Sequence, residues 1–456
     1  MHLVGVGGAG MSGIARMLLQ RGHHVSGSDR QEGRSLDGLR AMGATIQVGH
    51  DPAVVDDAEV VVISSAIPPG NPELVAARSA GTPVLHRSEA LAALMAGQRA
   101  ILVAGTHGKT TTTSMLVVAL QAAGADPSFA IGGALNETGS NAHSGSGELF
   151  VAEADESDRS FLAYQPDLAL VTNVELDHPD AFTDLADTQA AFGAFLLRRA
   201  PGAPAVLCRD DPGAARLATD PATRGLGPVV TYGEDPRAEV RLVATRATDV
   251  GAPTGRLRTG GEDMVEFSLA LPGRHNLLNA AGALTACWLV GVDVDAAARG
   301  LASFTGVQRR FQRLGSAAGV EVIDDYAHHP TELRATLAGA RAVARGRIVL
   351  VVQPHRFSRT ERLGAELGRA AAGADLVVVT DVYGADEEPV PGVSGEIVAV
   401  AARAAGANVL WVPHLADVAA RLADKLRPDD LVLVTGAGDV SQIGHALLAR
   451  LRGQDG

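Results

Sequence analysis

The sequence has few cysteines, few lysines and few aromatic residues. It contains two Trp and four Tyr, and its lysines are only Lys109 and Lys425, since arginine supplies the other 37 of the 39 basic residues. Cys208 and Cys287 lack metal-binding or redox spacing, which favours two small core residues in a reducing compartment. The longest apolar run, 277–292, is shorter than the ~20 residues of a membrane span and is predicted to be a buried helix. With no signal peptide recognised, we expect a soluble, cytoplasmic protein without a membrane partner.

The charge balance and the length narrow the class of protein further. The net charge is −13 and no basic stripe is present, so we expect no nucleic-acid partner. A chain of 456 residues is long enough for about three domains at ~150 residues each. We expect a monomer or a weak homodimer that acts on small-molecule substrates.

Short Val/Ile-rich runs alternate with stretches of helical length, which is the βαβ pattern of parallel α/β domains. The pattern predicts a Rossmann-like N-terminal domain over 1–98, a central P-loop-type ATPase domain over 99–313 and a Rossmann-like C-terminal domain over 314–456. No element is predicted within the Pro/Gly/Asp-rich stretches 201–212 and 220–228. The predicted strands are 3–6, 24–27, 45–48, 60–64, 83–85, 100–104, 149–152, 168–172, 320–323, 348–352, 375–380, 409–412 and 430–434.

The strongest motif is a glycine loop after the predicted strand 100–104. It reads Gly105-Thr106-His107-Gly108-Lys109-Thr110 and leads into a helical pattern. This order aims backbone N–H groups and a helix N-terminus at phosphates, with Lys109 on the outer phosphates and the Thr110 hydroxyl on Mg²⁺. Val103 stands where a strict P-loop has its first glycine, so the loop is a shortened variant. We predict ATP and Mg²⁺ as cofactors.

A second glycine loop lies near the N-terminus. Gly5, Gly7 and Gly10 form a G-x-G-x-x-G between a predicted strand and an apolar helix over 11–19, and Asp29 lies at the end of the next β-rich run, just after the predicted strand 24–27. A dinucleotide fingerprint would place Asp29 on a ribose. A nucleoside-diphosphate-linked substrate would satisfy the same loop, because the helix N-terminus needs only a pyrophosphate. A purely structural turn is the third interpretation.

Acidic clusters follow two predicted strands of the central domain. Glu153-Ala154-Asp155-Glu156-Ser157-Asp158 follows 149–152, and Asn173-Val174-Glu175-Leu176-Asp177-His178 follows 168–172. Ligands in parallel sheets lie beyond the carboxyl ends of strands, so both clusters are expected at the same edge as Lys109. Carboxylate oxygens with one imidazole suit Mg²⁺ shared with phosphate oxygens.

Together these motifs resemble the Mur ligases, ATP-dependent ligases of peptidoglycan precursor synthesis. The resemblance covers essentially the whole chain and is closest to the member that adds the first amino acid, L-alanine. It rests on the two glycine loops, on 153–158, and on four further segments: Gly-Arg-His-Asn-Leu-Leu-Asn-Ala at 273–280, Arg-Arg-Phe-Gln at 309–312, Asp-Asp-Tyr-Ala-His-His-Pro at 324–330 and Gln-Pro-His-Arg-Phe-Ser-Arg-Thr at 353–360.

The resemblance implies an amide-forming reaction driven by ATP. ATP would phosphorylate the lactyl carboxylate of UDP-N-acetylmuramate, and the amine of L-alanine would attack the acyl phosphate to give an amide, ADP and phosphate. Lys109, His178 and Arg310 would be catalytic, with electrostatic stabilisation of the charge that gathers at the reacting phosphate.

The resemblance also implies four groups of binding residues. ATP would be bound by Gly105, Thr106, His107, Gly108, Lys109, Thr110, Thr111, Asn276, Asn279, Arg310 and Asp325. The UDP-sugar would be bound by Gly7, Gly8, Ala9, Gly10, Met11, Ser12, Asp29, Ser65, His86 and Arg87. The amino acid would be bound by Tyr326, His328, His355, Arg356 and Arg359, and Mg²⁺ by Thr110, Glu153 and His178.

One departure from the family concerns a second metal. Several relatives carry a carbamylated lysine on the helix after the Asn-x-x-x-Asp-His element, whereas 181–200 contains no lysine and Gln189 falls near that position. Three alternatives stay open: a recycling ligase that adds a preformed tripeptide to the same sugar nucleotide, an NAD-dependent oxidoreductase with a fused ATPase-like segment, and a non-catalytic nucleotide-gated module. The Gly-Gly-Ala-Gly-Met-Ser loop and the arginines at 356 and 359 favour the alanine reaction over the tripeptide reaction.

Overall fold

The computed structural model describes residues 1–246, 253–385 and 387–454. These residues form three β-sheets that follow one another along the chain, each flanked by helices. In the described ranges, no helix has both the length and the apolar character that crossing a membrane would require. The prediction of three α/β units is confirmed.

The first sheet is entirely parallel, with strand order β3-β2-β1-β4-β5. The order reverses direction beside β1, so the glycine loop after β1 lies at the crevice where such sheets bind ligands. The elements are β1 (His2–Val4), α1 (Ala9–Gln20), β2 (Ser26–Asp29), α2 (Arg34–Ala41), β3 (Thr45–Val48), β4 (Val61–Ile63), α3 (Pro72–Ala80), β5 (Val84–His86) and α4 (Arg87–Met95), with a 3₁₀ turn at Pro52–Val55.

The central sheet has ten strands in the order β15-β14-β13-β12-β11-β10-β6-β9-β7-β8. In this order the strands from β13 to β7 run parallel, and antiparallel pairs extend both edges. The strands are β6 (Arg99–Ala104), β7 (Ser128–Ala130), β8 (Ala142–His143), β9 (Leu149–Glu153), β10 (Leu168–Val171), β11 (Ala205–Cys208), β12 (Val229–Gly233), β13 (Val240–Arg246), β14 (Thr254–Thr259) and β15 (Glu262–Ser268). The helices are α5 (Lys109–Ala122), α6 (Leu185–Leu196), α7 (Pro212–Thr219), α8 (Pro221–Leu226), α9 (Arg274–Val290) and α10 (Val294–Leu301), with a 3₁₀ turn at Ser160–Ala163.

The Pro- and Asp-rich stretches without predicted elements contain the starts of two short helices. The Asp211 side chain accepts from Ala214 N at 2.7 Å, and Pro212 is the first residue of α7. Asp220 and Pro221 begin α8 in the same way. An Asp-Pro pair is well suited to start a helix, because the carboxylate caps free N–H groups and proline needs no N–H partner there.

The third sheet has the order β16-β17-β21-β18-β19-β20, and only β16 is antiparallel to its neighbour. The elements are β16 (Gln312–Ala317), β17 (Val320–Asp325), α11 (Pro330–Val343), β18 (Ile348–Val352), α12 (Phe357–Ala371), β19 (Leu376–Val379), α13 (Glu396–Ala404), β20 (Val409–Trp411), α14 (Leu415–Ala423), β21 (Leu431–Thr435) and α15 (Ser441–Gln454).

The buried apolar residues divide unequally among the three units. One continuous cluster joins the first two sheets, with Leu3 and Val6 of the first unit and Val103 and Met115 of the second among its members. The third sheet has two clusters of its own, one on each face. The first two units therefore share an apolar core, whereas the third packs its core separately.

Candidate active site

The predicted phosphate loop connects β6 to α5 at the carboxyl edge of the central sheet. Gly105 and Gly108 have φ of +140° and +80°, a region that favours glycine. A Cβ on Gly105 would collide with the Thr172 hydroxyl, and one on Gly108 would lie 2.8 Å from Asn279 Oδ1. Asn173 fixes the loop between them, because its side chain accepts from His107 N at 2.7 Å and donates to His107 O at 2.9 Å.

Lys109 is held inside this loop by a buried ion pair. Its Nζ donates to Gly105 O at 2.7 Å and lies 2.8 Å from a carboxylate oxygen of Glu156, whose side chain is 1% exposed. Burial alone would lower the pKa of Lys109, but Glu156, Asp155 and Glu153 together raise it above its usual range. Lys109 is therefore a fixed ammonium within the loop, held beside the carbonyl oxygens of Gly105 and Thr106, and it supplies the positive charge that phosphate binding requires.

Two of the three residues predicted to bind Mg²⁺ are in direct contact. The Thr110 hydroxyl donates to Glu153 Oε1 at 3.0 Å, and Gly132 N donates to Glu153 Oε2 at 2.8 Å. His178 instead has its Nε2 3.6 Å from Glu156, and burial lowers its pKa, which keeps the imidazole neutral. A hydroxyl and a carboxylate in contact fit the oxygen preference of Mg²⁺.

A cavity of about 370 Å³ opens beside the loop, between the central and third units. Its lining includes His107, Gly108 and Thr111 of the loop and the four other residues predicted to bind ATP: Asn276, Asn279, Arg310 and Asp325. Asp325 accepts from Phe311 N at 2.7 Å and from Ala327 N at 2.9 Å, so its carboxylate organises the junction after Arg310.

Several residues of this cavity were not predicted. They are Cys208, Asp210, Tyr232, His275 and Phe311 among others, and they lie on elements separated widely in sequence. The segments 273–280 and 309–312 contained two of them, but Cys208 and Tyr232 belong to strands that the sequence analysis did not identify.

In the N-terminal loop, Asp29 is hydrogen-bonded to the glycine loop, and its ribose contact remains a prediction. Gly7 N donates to Asp29 Oδ2 at 2.8 Å, and a Cβ on Gly7 would lie 2.8 Å from that oxygen. The carboxylate thus closes on the loop itself. Gly8 precedes α1, which begins at Ala9, and Met11 and Ser12 are buried in its first turns.

The other residues predicted to bind the UDP-sugar lie where the first and central units meet. Arg87 packs against Gly10 and contacts Asp155 Oδ2 at 3.2 Å, and the Ser65 hydroxyl donates to Asp158 at 2.8 Å. Ser65 and His86 line a cavity of about 520 Å³ at the carboxyl ends of β4 and β5. The structure thus joins this cavity to the acidic cluster after β9.

The residues predicted to bind the amino acid lie on the third unit, facing the central one. The rings of Tyr326, His328 and His355 follow one another at centroid distances of 5.6 and 5.7 Å, and Tyr383, which was not predicted, stacks on His355 at 5.7 Å. Burial lowers the pKa of His328 to about 4 and that of His355 to about 3. These imidazoles are therefore neutral at physiological pH.

The two predicted arginines are paired with carboxylates of the central unit. Arg359 Nε donates to Asp177 Oδ1 at 2.9 Å, and Arg356 Nη1 donates to Asp180 Oδ2 at 2.8 Å. Arg359 and Asp177 are both nearly inaccessible to solvent, and Arg359 holds the pKa of Asp177 well below its usual range against the effect of burial. These pairs hold the third unit against the segment of the central unit that follows β10.

A further interdomain contact, also not predicted, is made by the loop histidine. His107 Nε2 lies 3.0 Å from Glu175, and His107 Nδ1 lies 3.2 Å from Glu332 of the third unit. Burial opposes the charged form, but the two carboxylates raise the pKa of His107 to about 9. The sequence signal for Glu332 was local, since it completes the capping box that His329 begins at α11.

Comparison with known proteins agrees with this architecture. Residues 1–99 match the Mur ligase family catalytic domain, residues 103–287 the Mur ligase middle domain, and residues 309–438 the Mur ligase glutamate ligase domain. UDP-N-acetylmuramate–L-alanine ligases from Acidothermus cellulolyticus and Mycobacterium sp. (strain JLS) are 51% and 50% identical, over 99% of this chain and 94% and 95% of theirs. The crystal structure of the UDP-N-acetylmuramate–alanine ligase of Thermotoga maritima is 28% identical over 99% of both chains, with a TM-score of 0.81. With matches over nearly its whole length, the chain belongs to the Mur ligase family.

Proposed function

We propose that the protein is an ATP-dependent ligase that joins L-alanine to the lactyl carboxylate of UDP-N-acetylmuramate. The observation that carries the proposal is the identity of about 50%, over 99% of the chain, with enzymes named for this reaction. The buried Lys109 at the start of α5 supports it, because the phosphate loop of an ATP-dependent ligase needs a fixed cation there.

We assign one substrate to each unit. Residues 1–98 would bind the UDP-sugar through the loop at Gly7, Gly10 and Ser12 and through Arg87, and residues 314–456 would bind the amino acid. Residues 99–313 would bind ATP, with Asn276 and Asn279 in contact with the adenine base and Arg310 in contact with the phosphates. The cytoplasmic location remains a prediction from the sequence.

The proposed reaction has two steps. A lactyl carboxylate oxygen attacks the γ-phosphorus of ATP, the bond from phosphorus to the β–γ bridging oxygen breaks, and ADP leaves. The amine nitrogen of L-alanine then attacks the carbonyl carbon of the acyl phosphate, the bond from that carbon to the phosphate oxygen breaks, and the nitrogen loses a proton as the amide forms.

The residues of the loop act on the charge that develops in the first step. Lys109 would stabilise the transferring phosphoryl group, and Thr110 and Glu153 would hold Mg²⁺, with the neutral His178 beside Glu156. When bound, Mg²⁺ supplies neutralising charge on the phosphate oxygens. The cavity between the central and third units would exclude water from the acyl phosphate, which water would otherwise hydrolyse.

The amino acid would enter the ring-lined pocket of the third unit. The arginines Arg356 and Arg359 are the cations that could bind its carboxylate in a bidentate manner, in exchange for Asp180 and Asp177. The neutral rings of His328 and His355 offer hydrogen-bonding partners for its amine without repelling an ammonium group.

The test is phosphate release with purified protein, ATP and Mg²⁺. We expect release only when both UDP-N-acetylmuramate and L-alanine are present, and we expect Lys109→Met to abolish it. Release with a preformed murein tripeptide but not with L-alanine would contradict the proposal in favour of the recycling reaction. Absence of release with either amine would contradict a ligase function on this sugar nucleotide.

A further inference from the structure

Three side chains at the junction of the central and third units form a cluster with metal-binding geometry. They are His107 of the phosphate loop, Glu175 after β10 and His329 before α11, and their donor atoms all lie within 4.8 Å of one another. No other His, Cys, Asp and Glu group in the described ranges meets this criterion. The cluster is distinct from the oxygen ligands Thr110 and Glu153 proposed for Mg²⁺.

The distances are close to those of a tetrahedral site. His107 Nε2 lies 3.0 Å from Glu175 Oε2, and His329 Nδ1 lies 3.9 Å from the same oxygen. A tetrahedral Zn²⁺ with N and O ligands at about 2.0–2.1 Å separates neighbouring ligand atoms by roughly 3.3 Å. The two distances to Glu175 differ from this value by about half an ångström, and the donor atoms of the two histidines, which lie within 4.8 Å of each other, would approach by at most about 1.5 Å to share one ion.

A second carboxylate orients the loop imidazole. His107 Nδ1 lies 3.2 Å from Glu332, which leaves Nε2 directed at Glu175. Metal-binding histidines usually donate their other ring N–H to a carboxylate in this way, which fixes the tautomer and the ring orientation. The arrangement is thus the one expected of a metal ligand with its supporting partner.

The chemistry of the donors selects the class of ion. Two imidazoles with one carboxylate favour Zn²⁺ and similar transition metals over Mg²⁺, which prefers oxygen ligands. His107 would release its Nε2 proton when the ion binds, and the carboxylates of Glu175 and Glu332 would then balance the charge of the divalent ion. We infer that His107, Glu175 and His329 form a binding site for one divalent transition-metal ion that links the central and third units.

The competing explanation is a purely structural contact. In that case His107 is only an imidazolium between Glu175 and Glu332, and His329 is only the N-cap of α11, where its Nδ1 accepts from Thr331 N at 3.3 Å. Metal binding at that nitrogen would give up the capping bond. A variant that keeps the cap but removes the imidazole separates the two explanations.

The variant His329→Asn meets this need, because asparagine is a preferred N-cap residue. The matched control is His414→Asn, which makes the same change at the exposed N-cap of α14, where the histidine makes no capping bond. Glu175→Gln serves as a second variant that removes the charged ligand with little change in shape. The thermal midpoint of each variant without metal would establish that it is folded.

The experiment is a titration of the full chain, prepared without a histidine tag, with Zn²⁺ in competition with a chromophoric chelator and with Mg²⁺ in large excess. Co²⁺ absorption provides an independent measure of tetrahedral coordination. We expect one equivalent of tightly bound Zn²⁺ in the wild type and in His414→Asn, and at least tenfold weaker binding in His329→Asn and Glu175→Gln.

Equal Zn²⁺ affinity in the wild type and His329→Asn would overturn the inference, as would a site in the wild type that excess Mg²⁺ empties. The readout is metal binding rather than turnover. A protein that bound Zn²⁺ as expected but released no phosphate would therefore contradict the proposed ligase reaction and leave the metal site intact.

Discussion

Replacing Lys109 with methionine should destabilise the central unit as well as abolish turnover. Lys109 is the cation that lies within 2.8 Å of Glu156, and the Glu156 side chain is only 1% exposed. Methionine keeps most of the aliphatic volume but leaves this carboxylate without its partner. Breaking a buried pair from one side typically costs about 3–5 kcal/mol.

The loss should depend on pH, because Glu156 can escape the buried charge by taking up a proton. With an ordinary pKa of 4.5, protonation of this carboxyl costs roughly 5 kcal/mol at pH 8 and roughly 1.4 kcal/mol at pH 5.5. Burial raises the pKa of Glu156 to about 7 even beside Lys109, and removal of the ammonium, which lowers that pKa, should raise it further. Its contribution to stability is therefore full below pH 4.5 and is lost as the pH rises toward the folded-state pKa.

The assay is urea unfolding followed by tryptophan fluorescence. The two tryptophans are Trp288 in α9, which belongs to the central unit, and Trp411 in β20 of the third unit. In a Trp411→Phe background, the signal reports the central unit alone. We expect Lys109→Met to lower the free energy of unfolding by about 3–5 kcal/mol at pH 8 and by about 1–2 kcal/mol at pH 5.5.

The double variant Lys109→Met with Glu156→Gln is the control. It removes both charges, so its stability should lose the extra dependence on pH while phosphate release stays absent. Any cost from the carbonyls of Gly105 and Thr106, which lose the ammonium donor, should be the same at both pH values. If Lys109→Met loses equal stability at pH 5.5 and pH 8, the unpaired carboxylate is not the cause and the reasoning fails.

Three further predictions test other parts of the molecule. Arg199 is 2% exposed and donates to four backbone carbonyl oxygens. Because Arg199→Met leaves these buried acceptors without a donor, it should lower the free energy of unfolding of the central unit by at least about 3 kcal/mol in the same urea assay. A loss below about 1 kcal/mol would contradict this prediction. Burial raises the pKa of Asp324 to about 6, so its protonated form contributes stability that is full below pH 4 and is lost as the pH rises through 6. The free energy of unfolding of Asp324→Asn should therefore exceed that of the wild type by about 2–3 kcal/mol at pH 8 and equal it at pH 4. An equal increase at both pH values would contradict the raised pKa of Asp324. Arg359→Lys loses the bidentate guanidinium and should raise the KM for L-alanine about tenfold in steady-state assays. The control Arg362→Lys, an exposed change on the same helix, should leave this KM unchanged. Equal effects of the two variants would show that Arg359 does not bind the amino acid.

The parts of the fold that the sequence predicted are those with a local signature. The predicted strands 45–48 and 348–352 coincide with β3 and β18, because each is a short β-rich run bounded by turn residues. The loop at 105–110 was also predicted from the sequence, because its glycines, its lysine and its flanking strand and helix are contiguous.

The parts that the sequence did not predict depend on distant partners. Strand β14, second from the edge of the central sheet, and the edge strand β16 of the third sheet carry few β-branched residues, and their pairing depends on neighbouring strands rather than on their own propensity. Arg359 lies 182 residues from Asp177, and His107 lies 225 residues from Glu332. No spacing rule links such residues, so sequence reasoning gave Arg356 and Arg359 a substrate role without finding their protein partners.

The separate cores of the third unit have a consequence for a cycle of opening and closing. Its contacts over the phosphate loop include Arg359 with Asp177, Arg356 with Asp180 and His107 with Glu332, and each of these groups is well solvated once exposed. Separating two units that share an apolar interface would expose apolar surface to water at every turnover, whereas the groups of an ion pair can exchange one charged partner for another. The carboxylate of an amino acid or the phosphates of a nucleotide could pair with the same cations, so that binding of the reactants would itself weaken or restore the contacts between the third and central units. Rising salt concentration would weaken chiefly the exposed pair of Arg356 with Asp180, because the buried pair of Arg359 with Asp177 is screened much less, while the apolar contact between the first and central units would tighten slightly.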